Sequence, residues 1–277
     1  MDTIHDLLKQ RHVFFDGAMG TELQKRGKPE DPALLNLSAP EDIIAIHREY
    51  LAAGADILTA NTFGAYTHKH ENAAEIIKAA ISHGRTALAG QKGKWLALDL
   101  GPTGLMLEPY GDTTEEECRQ IYDDAVKAGA ENGADLILIE TMMDLAELEI
   151  AITAAKATGL PVFATMSFDK NGRTMMGASI ADMVTLLEDL GVDALGMNCG
   201  FGPDVYAGLA AELTSKTKLP VIIQPNAGMP TTSASGAAEY SLTPEDFAAA
   251  MGTMDAKIMG GCCGTSPAHI EALVKSL

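Results

Sequence analysis

Eight short β-rich runs alternate with eight longer helical patterns along the chain, and this alternation restricts the fold more than any other feature. The runs are Val13–Asp16, Ile57–Ala60, Trp95–Leu100, Leu136–Glu140, Val162–Ser167, Ala194–Asn198, Val221–Gln224 and Ala256–Gly260. Helices are predicted over Pro40–Ala53, Asn72–Gly90, Thr114–Asn132, Asp144–Thr158, Ser179–Leu190, Pro203–Thr217, Thr243–Met254 and Ser266–Leu277. Ser38-Ala-Pro-Glu41, Thr113-Thr-Glu-Glu116 and Thr243-Pro-Glu-Asp246 each read as an N-cap before an acidic first turn. Gly54, Gly133, Gly159 and Gly191 follow predicted helices as C-terminal stops. Strands separated by helices pair in parallel. A count of eight in 277 residues favours an α/β fold that closes as a single (β/α)₈ TIM barrel over residues 1–277. No G-x-G-x-x-G follows the first strand, which weakens the dinucleotide-binding alternative.

Composition excludes several classes. Twenty Lys plus Arg against 38 Asp plus Glu leave a formal charge of −18, the wrong sign for nucleic acid or an anionic membrane surface. At 47 % hydrophobic residues the chain can build a core, so neither disorder nor a disulfide scaffold is needed. The first residues, Met-Asp-Thr-Ile-His-Asp-Leu-Leu-Lys, place charge where a signal peptide needs an apolar stretch. No run approaches the roughly 18 apolar residues of a membrane span. The expected location is cytoplasmic, where thiols are reduced, and cysteines are read first as metal or catalytic groups.

In a (β/α)₈ barrel the active site lies at the C-terminal ends of the strands. There the sequence places Asp16-Gly-Ala-Met-Gly20, Asn61-Thr-Phe-Gly, Asp99-Leu-Gly-Pro-Thr-Gly, Glu140-Thr-Met-Met-Asp, Asn198-Cys199-Gly, Gln224-Pro-Asn226-Ala-Gly and Gly260-Gly-Cys262-Cys263-Gly-Thr. Three of the four cysteines thus fall on one rim. Strands six and eight are second neighbours, about 9–10 Å apart, a gap that two cysteines sharing a zinc ion with Zn–S bonds of about 2.3 Å can span. Adjacent Cys262 and Cys263 would point to opposite faces of a regular strand. Both reach one ion only if the backbone bends, and Gly260, Gly261 and Gly264 are read as the source of that freedom. Three thiolates with one open position suit a catalytic zinc rather than a structural one. A substrate thiol in the open position would be held as an electron-rich thiolate, which implies alkyl transfer to sulfur.

Plainer readings stand beside this one. A strand-end Cys is also at home as a small buried hydrophobe, and Cys262-Cys263 could form a vicinal disulfide. Cys118, within the third predicted helix, is read as structural. The fourteen Met are read as core, with Met19, Met142, Met143 and Met197 near the rim, and the seven His as surface or capping residues. Asp16 and Glu140 serve equally as turn acids or as partners for a substrate ammonium.

Taken in order, the motifs Asp16-Gly-Ala-Met-Gly-Thr-Glu-Leu, Asn61-Thr-Phe-Gly-Ala, Asp99-Leu-Gly-Pro-Thr-Gly, Glu140-Thr-Met-Met-Asp, Met197-Asn-Cys-Gly, Gln224-Pro-Asn-Ala-Gly and Gly260-Gly-Cys-Cys-Gly-Thr-Ser-Pro-Ala-His-Ile resemble those of the homocysteine S-methyltransferase family. Within that family they are most similar to the homocysteine-binding barrel of cobalamin-dependent methionine synthases. The resemblance runs from about Val13 to the end. It implies a (β/α)₈ barrel with zinc (Zn²⁺) on Cys199, Cys262 and Cys263, and homocysteine as methyl acceptor. By the same resemblance Asp16 and Glu140 hold the amino-acid moiety, the turn Gly17–Gly20 lets backbone approach the substrate, and Asn198 and Asn226 lie beside the metal. After Cys199 relatives vary, so Gly200-Phe201 is expected to alter pocket shape more than metal binding.

The cobalamin-dependent relatives carry folate, cobalamin and reactivation modules after this barrel, and the methyl group here is expected from outside. The favoured source is a methylated corrinoid on a separate protein or a folate-binding partner. S-methylmethionine or a betaine is the alternative. A betaine wants an aromatic cage, yet only 5 % of residues are aromatic, and the single Trp95 begins strand three, on the wrong face. Two other classes compete with an enzyme of this kind: a non-catalytic metal- or thiol-binding barrel within an assembly, and a zinc hydrolase. The hydrolase is disfavoured because three thiolates make zinc a poor activator of water.

Overall fold

The computed structural model describes residues 3–232 and 238–277. Eight parallel strands form the barrel: β1 (Val13–Phe14), β2 (Ile57–Thr59), β3 (Trp95–Leu100), β4 (Leu136–Met142), β5 (Val162–Met166), β6 (Ala194–Asn198), β7 (Val221–Gln224) and β8 (Ile258–Met259). Hydrogen bonding runs in sequence from β2 to β8 and then to β1. A parallel bridge between Phe15 and Ile57 closes the ring. The fold is the (β/α)₈ barrel expected from the alternation. No helix among the described residues is long and apolar enough to cross a membrane.

Two apolar clusters follow from the two faces of each strand. Side chains at alternate positions point inward, and Val13, Phe15, Ile57, Ala97, Leu136, Leu138, Phe163, Ala194, Ile222 and Ile258 fill the barrel interior. The intervening residues, such as Leu58, Leu98, Ile137, Ile139 and Ile223, pack outward against the helices in a larger cluster. One step further along the inward positions the chemistry changes. Thr59, Asp99, Glu140, Thr165 and Gln224 follow the apolar layer, and Asn198 follows it after Gly196, so the barrel's C-terminal end is floored by polar side chains.

The predicted helices form close to their expected bounds. Pro40–Ala53 is observed unchanged, and Gly54 ends it in the left-handed region at φ 106°. Glu115–Glu131 starts at a reciprocal capping box between Thr114 and Glu117, and Thr243 caps Pro244–Met251 through Asp246 N–H. Ser38 departs from expectation. It is the last residue of a helix Pro32–Ser38, and its hydroxyl donates to Leu34 O. Ala39 occupies the cap before Pro40 with no side-chain bond. Two helices abut there, and proline at the first turn starts the second.

Three helices lie outside the eight predicted. Ile4–Gln10 plugs the N-terminal end of the barrel, with Ile4 and Leu8 joining the interior cluster. Met19–Lys25 and Pro32–Ser38 sit in the connection after β1, on the opposite end. A short antiparallel pair, Thr231–Thr232 with Ala238–Glu239, lies outside the barrel. β4 carries a register shift between Ile139 and Met142, and within it Thr141 adopts φ 62°. Such a bulge re-aims side chains at a barrel rim.

Candidate functional site

A cavity of about 590 Å³ opens at the C-terminal end of the barrel. It is lined by Asp16, Thr59, Asp99 and Glu140 on the β1–β4 side and by Cys199, Gln224, Gly261, Cys262 and Cys263 on the β6–β8 side. One half of the wall is therefore acidic and the other sulfur-rich.

The acidic arc is built by strand-end alternation and one loop residue. Asp16 is fixed by Thr59, whose backbone N–H donates to Oδ2 at 2.9 Å and whose hydroxyl donates to Oδ1 at 2.7 Å. Burial raises its pKa to about 7 against these bonds. Glu140 is pushed up to about 8, first by burial and then by the charges of Cys263 and Asp16. Asp99 is raised as well, by burial and then by Glu140 and Asp16. Burial makes all three carboxyl groups resist ionisation, and Asp99 and Glu140 do so also in the field of neighbouring acids, so the site gains from a cation.

The sulfur arc is built by turns rather than strands. Cys262 and Cys263 lie beyond β8, in a turn where Thr265 N–H and hydroxyl both bond to Cys262 O at 3.1 and 2.7 Å. Strand alternation no longer applies there, so neighbouring side chains share one side. Gly261 and Gly264 are required by close approach: an added Cβ would lie 2.4 Å from Thr265 Oγ1 and 2.1 Å from Tyr240 Cγ respectively. Only Gly264, at φ 81°, also needs the left-handed region. Cys199 itself takes φ 62°, a costly conformation outside glycine. Its carbonyl is clamped by Phe201 N–H at 2.8 Å and Tyr206 hydroxyl at 2.6 Å.

The three Sγ atoms lie within 4.8 Å of one another, and Cys262 and Cys263 are 4.0 Å apart. Tetrahedral zinc with bonds near 2.3 Å needs sulfurs ~3.8 Å apart, so small side-chain adjustments complete a three-thiolate site. All four cysteines are free thiols, with no vicinal disulfide. Hydrogen bonds from Cys199 and Cys262 lower the Cys263 pKa, so the cluster already stabilises a thiolate. Cys118 is buried on the outer face of the barrel, away from this group.

The remaining expected residues take different places. Gly17 and Gly20 line the cavity, but Met19 and Gly20 already belong to a helix. A Cβ at Gly17 would collide with Thr265 Oγ1 at 2.6 Å and Tyr50 Oη at 2.9 Å, so this glycine lets the loops after β1 and β8 meet. Asn198 stands behind the wall. Its Oδ1 accepts from Thr141 N–H and Thr165 hydroxyl, both at 2.7 Å, and its Nδ2 approaches Cys262 Sγ at 4.0 Å. Asn226 is buried, and its Oδ1 has no partner among the described residues. Of the rim methionines, Met19 lines the cavity, whereas Met142 and Met197 pack in the outer cluster. His269 caps the last helix with Ser266.

Sequence reasoning left Asp99, Thr59, Gln224 and Tyr240 without roles. The first three are inward positions one step above an apolar residue, a signal available from alternation alone. Tyr240 approaches Cys263 from the segment after the antiparallel pair, and its own pKa is raised by burial and then by the Cys263 charge. No local pattern announces that contact.

The sequence profile described as homocysteine S-methyltransferase matches residues 13–277. Methionine synthase of Mycobacterium tuberculosis is 34 % identical across 98 % of this chain, and that of Mycobacterium leprae 31 % identical across 98 %. The chain spans about a quarter of the length of these curated relatives. The homocysteine methyltransferase MmuM from Escherichia coli superposes in its oxidised form with TM-score 0.82 at 25 % identity, over 99 % of each chain. Its metallated form gives 0.79 at 26 % identity, over 98 % of each. With this match over nearly its whole length, the chain belongs to the homocysteine S-methyltransferase family.

Proposed function

We propose that this protein transfers a methyl group to the thiol of homocysteine, giving methionine, with zinc held by Cys199, Cys262 and Cys263. The observation that carries the proposal is one cavity with a thiol triad on one half of its wall and buried carboxyl groups on the other. A four-carbon amino thiol has its ammonium and its sulfur at opposite ends, which suits that division. The named functions of the methionine synthases and of MmuM agree with it.

Zinc on the three thiolates would supply a Lewis acid that keeps the substrate sulfur deprotonated at neutral pH. The chain's own residues do the rest. Asp16, oriented by Thr59, and Glu140 accept hydrogen bonds from the substrate ammonium and fix the distance from it to the sulfur. Asn198 ties Thr141, beside Glu140, to Cys262, so the two halves of the site are held in one frame. Gly17 permits the loop contact that narrows the cavity beside Asp16, and Gly20 leaves the adjoining helix without a side chain at the wall. Asn226 Oδ1 offers an unpartnered acceptor behind the cysteine turn. The sulfur lone pair then forms the new S–CH₃ bond in line as the donor–CH₃ bond breaks, and the thiol proton has already left to solvent.

The methyl donor in this proposal is a methylated corrinoid, or a methylfolate-linked module, delivered by a partner protein. Phe63, Met106, Tyr110, Met175, Met176 and Met229 are all exposed, and all lie on loops that follow barrel strands around the cavity mouth. A ring of exposed apolar side chains suits a docking protein better than a small free donor. Metal analysis of the purified protein and methionine formation with homocysteine and a donor panel test the proposal. About one zinc per chain and turnover with methylcobalamin or a methylated corrinoid protein are expected. Full activity of a metal-free protein overturns the zinc role, and turnover with S-methylmethionine or glycine betaine alone overturns the donor.

A further inference from the structure

Asp99 has no role in the proposed methyl transfer, yet its side chain, like that of Gln224, puts an unpartnered buried oxygen on the cavity wall. It is 5 % exposed, it lines the cavity, and its Oδ1 has no hydrogen-bond partner among the described residues. Its backbone, by contrast, is pinned: Asp99 N–H donates to Thr62 Oγ1 at 3.0 Å, and the Thr62 hydroxyl donates to Asp99 O at 2.7 Å. A buried carboxyl oxygen without a donor is costly unless a ligand supplies one.

Its position says which ligand group that is. β3 lies between β2 and β4 in the sheet, so Asp99 stands between Thr59, which holds Asp16, and Glu140. An ammonium has three N–H donors. Asp16 has both oxygens engaged with Thr59 and retains one spare lone pair on each, while Glu140 and Asp99 face the cavity from adjoining strands. Resting on the amino-thiol substrate proposed above, we infer that Asp99 accepts the third N–H of the substrate ammonium and so sets the preference for an α-amino thiol over the same thiol without the amine.

Calorimetric titration of the zinc-loaded protein with L-homocysteine and with 4-mercaptobutanoate, which lacks only the amine, tests this. Asp99→Asn, and Asp99→Ser as a second variant, should weaken homocysteine binding roughly 10- to 100-fold, the range of one hydrogen bond to a charged group. Affinity for 4-mercaptobutanoate and the zinc stoichiometry should not change. Equal weakening toward both thiols, loss of zinc, or unchanged selectivity overturns the role of Asp99. Wild-type protein that does not prefer homocysteine overturns the substrate proposal itself, a result visible before any variant is made.

Discussion

At the scale of single residues the site is a set of opposed demands. Cys199 holds a left-handed backbone at φ 62° that a non-glycine residue adopts only under constraint, and Tyr206 and Phe201 supply that constraint. Replacement of Cys262 by Ser should leave two thiolates, remove stoichiometric zinc and lower methyl transfer by several orders of magnitude, as read by metal content and a methionine assay. Asp16 allows a prediction with a definite sign. Its pKa stands at about 7 in the folded chain against an ordinary carboxylate value of 3.8, so the folded state binds the proton more tightly than the unfolded one. That contribution is fully present below pH ~4 and is lost as pH rises through about 7. The loss of stability between pH 5 and pH 8 in denaturant titrations of ligand-free protein should therefore be smaller in Asp16→Asn than in wild type.

At the scale of elements, the turn after β8 is where the chain changes from scaffold to site. It lets two adjacent cysteines face one side because they have left the strand, and its tightness is set by Thr265 and Tyr240. Gly264→Ala keeps every thiol but adds a Cβ at φ 81° into the Tyr240 ring. It should weaken zinc binding measurably in a chelator competition without removing a ligand. The helix Glu115–Glu131 makes the opposite case. Thr114→Ala breaks its capping box and should cost about 1 kcal/mol in denaturant unfolding, with zinc content unchanged. These elements also show how far local pattern reaches. Thr243 and Gly54 announced helix ends, and the Thr113–Glu116 pattern announced one a residue before the observed Thr114 cap, because capping is a local matter of one side chain and one turn. Ser38 misled for the same reason: a Ser before Ala-Pro-Glu is a sound cap in isolation, and only the preceding helix, just seven residues long, takes that residue away.

At the scale of the whole molecule, the buried Asp56 ion-pair cluster and the proposed site occupy opposite ends of the barrel. Asp56, 1 % exposed, accepts from both Nη atoms of Arg11, from Lys94 and from Phe14 N–H at the N-terminal end of the strands. Asp56→Ala should leave a partly buried pair of cations uncompensated and cost about 3 kcal/mol. Zinc and homocysteine binding should be unaffected, since neither end's side chains touch the other's. Trp95 belongs to that lower end, packed against the barrel interior, and takes no part in the cavity. The formal charge of −18 includes Asp16, Asp31, Asp99 and Glu140 of the cavity lining, but most of it lies elsewhere and serves no identified step.

Periodicity alone determined the barrel, because strand and helix repeats differ and their alternation admits few topologies. The motifs also named the three cysteines and the two acids, Asp16 and Glu140. What only the tertiary structure decided is how these groups share space. Alternation around a closed ring puts Asp99 beside Glu140, close approach of two loops makes Gly17 necessary, and a strained backbone at Cys199 aims its sulfur at a pair more than sixty residues away. Contacts between segments so far apart in sequence leave no local pattern, because the energy that favours them exists only once the barrel has closed.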